Sequence, residues 1–123
     1  WRSCQSDFVR FQEAKMEKYN DIRSITTNTG LVVWIDFPDW GPHPGLIIGE
    51  YDDGDLMVLS GTSQLWHEGD PGFIKVEHGC GLLKPTYFNC TEPHRVREDT
   101  VMSIAGEMPD VLFTEIIERV EGL

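Results

Sequence analysis

His43 stands between two prolines in the segment DFPDWGPHPGLIIGE, residues 36–50, three positions after Trp40. An imidazole changes charge near neutral pH, which suits it to take or give a proton, and the flanking prolines restrict the backbone that carries it. Trp40 offers a flat apolar face that can stack a base or cap one end of a small barrel. Further on, Thr62, Ser63 and Gln64 close an apolar run in VLSGTSQ, where their polar groups can donate to a phosphate or satisfy a turn. The segment HRVR, residues 94–97, is the densest local positive charge. If extended, it turns Arg95 and Arg97 to one face, either as a short phosphate track or as a solvated edge.

A second constellation competes for His94. His78, Cys80, Cys90 and His94 supply two thiols and two imidazoles, a donor set that suits tetrahedral zinc. The spacing contains no CxxC knuckle, and the alternative is unrelated thiols and loop histidines. The odd count of Cys4, Cys80 and Cys90 fits free thiols in a reducing cytoplasm better than a disulfide framework. The segment GTSQL lacks the second glycine of a nucleophile elbow, and no phosphate loop or dinucleotide fingerprint is present.

Charge sets a constraint on partners. The 123 residues carry a formal charge of −11. From Gly30 to Phe73 there is no Lys or Arg, while Asp36, Asp39, Glu50, Asp52, Asp53, Asp55, Glu68 and Asp70 lie in that span. Such a surface repels a phosphate backbone, an obstacle that any nucleic-acid partner has to overcome, and DNA is not expected as a partner. No apolar run approaches the roughly 20 residues of a membrane-spanning helix. Trp1 in place of a Met reads as a start inside a longer product or after processing.

The elements that must position these residues follow from pattern. Phe8, Phe11, Tyr19 and Ile22 near one helical face predict a helix from about Ser6 to Arg23, ahead of the loop TTNTG. After Gly30 the character changes to short β-type runs, LVVWIDF, GLIIGEY, LMVLSGTS, GFIKVE and PTYFNC, separated by turn signals. Near the end, Pro109 suits a first helical position, and Leu112, Phe113, Ile116, Ile117 and Val120 form an apolar stripe. Glu115 and Arg119 are spaced as an i,i+4 pair, and Gly122 suits a helix stop. The division expected is an N-terminal helical extension, 1–29, followed by one domain, 30–123. The fold class expected is mostly β with flanking helices (α+β), a small barrel or a two-sheet sandwich.

The order of these fragments resembles the MazF/PemK-type toxins of toxin–antitoxin pairs. GLVVWIDFP, the proline-flanked loop, PGLIIGE and VLSGTSQ resemble the first half of that family, and GLLKPTYFNCTEPHRV with SIAGEMPDVLFTEIIERV resembles the second. The resemblance covers roughly Gly30 to Leu123. It implies a small SH3-like β-barrel, usually a homodimer paired with an antitoxin protein, that cleaves single-stranded RNA without a metal or other cofactor. It implies catalytic roles for His43, Thr62 and Ser63, and substrate contacts from Trp40, Gln64, His94 and Arg95. One departure is plain: His43 stands where the family has arginine, and an imidazole gives no permanent bidentate phosphate clamp. The same barrel without catalysis would be a protein-binding module.

Overall fold

The computed structural model describes the backbone of residues 22–23 and all of residues 28–64, 69–77 and 80–122. Its architecture is mostly β with one C-terminal helix. Strands β1 (Ile22–Arg23), β2 (Leu31–Phe37), β3 (Gly41–Tyr51), β4 (Leu56–Thr62), β5 (Phe73–Val76), β6 (Thr86–Asn89), β7 (His94–Val96) and β8 (Val101–Glu107) precede helix α1 (Asp110–Gly122). All pairings are antiparallel, in the order β5-β6-β4-β3-β2-β8, with β1 added to β3 and β7 added to β4.

Strand β3 is central and yet carries Pro42 and Pro44, residues that cannot donate to a ladder. It pairs with β2 from Gly41 to Leu46, whereas β4 joins only from Gly45 to Glu50. Two residues apart, the prolines turn their nitrogens to the same edge, and among the described residues that edge has no partner strand before Gly45. A register shift between Ile47 and Gly49 then bends the strand, so its far end can pair with β1 at Glu50 and Tyr51.

Apolar residues on both faces make two cores. One gathers Val32, Leu46, Ile48, Leu59 and Phe88 beneath Phe113, Ile116, Ile117 and Val120 of α1. The other gathers Val33, Ile35, Phe37, Ile47, Val58 and Val96. In β2 the alternation is direct, with Val33, Ile35 and Phe37 buried and Trp34 and Asp36 exposed. The helix begins one residue later than its proline suggests, because Pro109 contributes its carbonyl to the Phe113 N–H at 2.9 Å. Arg119 of α1 donates to the Pro71 carbonyl at 2.6 Å, which ties the helix to the loop before β5.

Two expectations change. The helix from about Ser6 to Arg23 ends as strand, because Ile22 and Arg23 pair with Tyr51 and Glu50; its remainder lies outside the described residues. The segment VMSIAGE, with no strong strand pattern of its own, forms β8 along β2.

The chain before β6 returns across the molecule to β8. Cys80 and Gly81 adopt the left-handed conformation (φ 58° and 74°), with their main chain directly against that of Ala105 and Gly106. A Cβ at Gly81 would overlap the Ala105 carbonyl, and one at Gly106 would stand 2.6 Å from the Cys80 carbonyl. Gly81→Ala should therefore cost on the order of 3 kcal/mol, from the clash and the positive φ together. Urea denaturation measures this; a loss under about 0.5 kcal/mol, the usual size for neutral surface changes, would mean that the contact is not fixed.

Candidate functional site

A cleft of about 460 Å³ opens where β2, β3 and β4 meet the 81–84 segment. Trp34, Pro42, His43 and Pro44 form one side, Thr62, Ser63 and Gln64 the strand end, and Gly81 to Lys84 with Thr86 the far side. Among the described residues, no Asp or Glu lines it. Asp52, Asp53 and Asp55 collect at the β3–β4 turn.

The pleat determines how the expected residues face one another. His43 lies opposite Ile35, and Gly45 lies opposite Ser60. Alternation along each strand puts His43 and Thr62 on the face of the Gly45–Ser60 pair, beyond the end of the β3–β4 ladder. His94 lies opposite Val58, itself opposite Ile47, so it shares this face. The rings agree: the Phe37 centroid is 6.3 Å from His43 and 6.0 Å from His94. Trp40 stands 6.5 Å from His43 and 5.0 Å from His94, nearly perpendicular to both.

Around Trp40 and His94 is a smaller depression of about 130 Å³, whose lining includes Phe37, Asp39 and Arg95. His43 borders the larger cleft and touches Trp40, so it links the two. His43, Thr62, Ser63 and Gln64 thus come together at one cleft, and Trp40, His94 and Arg95 at the next. The Thr62 hydroxyl oxygen accepts the Gln64 N–H at 3.3 Å, which leaves its hydrogen to be donated elsewhere.

Lys84 is the residue that sequence reasoning missed. It lines the same cleft as His43 and is the basic residue among its described lining with a permanent charge. In the sequence Lys84 is a single cation in GLLKPT, outweighed by the denser positive charge of the HRVR run.

That run makes no phosphate track. Arg95 is committed to the β3–β4 turn: its Nε donates to Asp55 at 2.9 Å and a terminal nitrogen donates to Asp53 at 2.8 Å. Its guanidinium also lies 3.9 Å from the centre of the Tyr51 ring. Arg97, outside β7, pairs with Asp99 at 2.8 Å.

The zinc set is not assembled by the described residues, none of which form a group of three or more metal donors. His78 lies outside them. Cys90 is buried, donates weakly to the Phe88 carbonyl at 3.7 Å, and its thiol is pushed up to about 11 by burial. Cys80 sits 3.6 Å from the Met108 sulfur, and burial raises its thiol as well.

No family model matches the chain, and no curated protein matches it.

Two measurements check this electrostatic picture. The Asp53 carboxyl lies below its usual value, first because it accepts the Asp55 N–H and then because of Arg95. A depressed carboxyl favours the fold above its unfolded value and loses that effect as pH falls through the folded one. Arg95→Ala should raise the Asp53 pKa only part of the way to normal, because the Asp55 N–H remains; NMR titration showing no rise would contradict the pairing. Cys90 should resist alkylation in the native protein at pH 8 and react once urea unfolds it, as mass spectrometry of the Cys90 peptide would record.

Proposed function

We propose that this protein is a divergent endoribonuclease of the MazF/PemK type, cleaving single-stranded RNA without a metal. What supports the reading is that His43, Thr62, Ser63 and Lys84 border one cleft, whose lining among the described residues includes no Asp or Glu. The return of Cys80–Gly81 onto β8 supports an SH3-like barrel as the finer description of the sheet.

The chemistry requires a base, an acid and a stabiliser for negative charge. In this reading His43 takes the proton from the ribose 2′-OH as the O2′–P bond forms. The P–O5′ bond breaks, and the departing O5′ receives a proton from His94. The Lys84 ammonium and the Thr62 and Ser63 hydroxyls face the phosphorane oxygens. The products are a 2′,3′-cyclic phosphate and a 5′-hydroxyl, so atoms and charge balance without a metal or other cofactor. A cytoplasmic homodimer controlled by an antitoxin protein completes the proposal.

The test is incubation of the full chain with single-stranded RNA in EDTA, with end-group analysis of the fragments. His43→Ala should lower the rate about 10²- to 10⁴-fold, the usual range for a lost acid or base. RNA left intact, whether or not a candidate partner is added, would overturn the reading.

A second reading has its own support: the cleft walls are rich in apolar groups, namely Trp34, Pro42, Pro44, Leu82 and Leu83, while Arg95 is neutralised. Those features suit a catalytically silent module that binds a partner protein. Under this reading His43→Ala leaves partner binding and cellular behaviour unchanged.

A further inference from the structure

The depression beside Trp40 has a chemistry distinct from the cleft. Trp40 sits on the tight turn between β2 and β3, held by its N–H to the Phe37 carbonyl at 3.3 Å, with its side chain 51% exposed. His94 and His43 stand at 85° and 90° to the indole, and Phe37 tilts against it at 39°. None of these rings lies parallel to it, and together the three hold the orientation of the indole. The volume of about 130 Å³ suits one flat ring rather than a folded ligand.

The charges point away from phosphate. Asp39 lines the depression, and the Arg95 guanidinium beside it is already paired with Asp53 and Asp55. A carboxylate accepts hydrogen bonds and repels a carbonyl oxygen or an anion. It therefore discriminates between flat rings by the groups on their edges, as carboxylates do when they accept from the amino group of cytosine.

We propose that this depression is a nucleobase subsite in which Trp40 stacks one base and Asp39 accepts a hydrogen bond from its exocyclic amino group. Cytosine, adenine and guanine fit that description, and uracil, with a carbonyl in the corresponding place, does not. The proposal rests on the reading of the neighbouring cleft as an RNA site, to which it adds base preference, and it is tested by binding rather than by cleavage.

Cytidine and uridine are titrated separately into the full chain while the Trp40 indole N–H resonance is followed, assigned by its loss in Trp40→Phe. Cytidine should bind about fivefold more tightly than uridine, the scale of one good polar contact. Asp39→Asn should bring the two within about twofold of each other, since an amide can donate as well as accept. Trp40→Ala should weaken cytidine binding roughly tenfold, within the range of one base–aromatic stack, while Trp40→Phe keeps most of it, as read from chemical shifts elsewhere in the depression. Unchanged unfolding midpoints in these turn variants show that the fold is intact. Equal affinity for the two nucleosides in the parent chain, or a preference that survives Asp39→Asn, overturns the subsite. Intact RNA together with a clear cytidine preference overturns the nuclease reading alone; cleaved RNA with no nucleoside preference overturns the subsite alone.

Discussion

The molecule depends on a single central strand that has to pair along both edges while carrying two prolines. Strand β3 meets this requirement by dividing its length: β2 takes one edge of its first half, β4 takes the other edge of its second half, and β1 fills in at the end. The missing donors of Pro42 and Pro44 fall where no neighbour asks for them. Because side chains alternate along a strand, the same division also sorts chemistry. His43 goes to the face of Phe37, Trp40 and His94, whereas Pro44 goes to the other, where its ring would lie 3.1 Å from a Cβ at Gly61. A slip of one residue would exchange these roles, so the register of this hairpin and the composition of the site are one property.

Much of this was readable in the sequence, for identifiable reasons. LVVWIDF and LMVLSGTS are β-branched or aliphatic runs bounded by turn residues, and they are β2 and β4. The stripe from Phe113 to Val120 is the buried side of α1. The strand β8 was not readable, because its Ser103, Ala105 and Gly106 carry no strand signal and Met102 and Ile104 are exposed. Its conformation comes from pairing with β2, a long-range cause that local pattern does not contain. The helix expected from about Ser6 to Arg23 failed likewise at its last two residues, which found a strand edge instead.

The site shows the same limit. Thr62 and His43 could be set together from the order of the strands, because neighbours in sequence became neighbours in the sheet. The state of Arg95 could not, since its partners Asp53 and Asp55 lie some forty positions earlier and meet it only through the β4–β7 pairing. A basic run in sequence became a neutralised corner in space. Lys84, unremarkable in its own segment, gained significance from the fold, which set it at the cleft of His43 and Thr62.

The contact of Cys80–Gly81 with Ala105–Gly106 is made by main chain on both sides. Main-chain atoms are the same in every residue, so this seam takes its shape from conformation and barely from side-chain identity. Just beyond it, Leu83 is fully exposed and Lys84 is exposed as well. One rim of the cleft is therefore built like a fixed frame with interchangeable teeth: its position is locked by glycines, and the groups it presents can be replaced with little strain on the core. Such an arrangement lets ligand preference drift under mutation while the fold beneath it stays put.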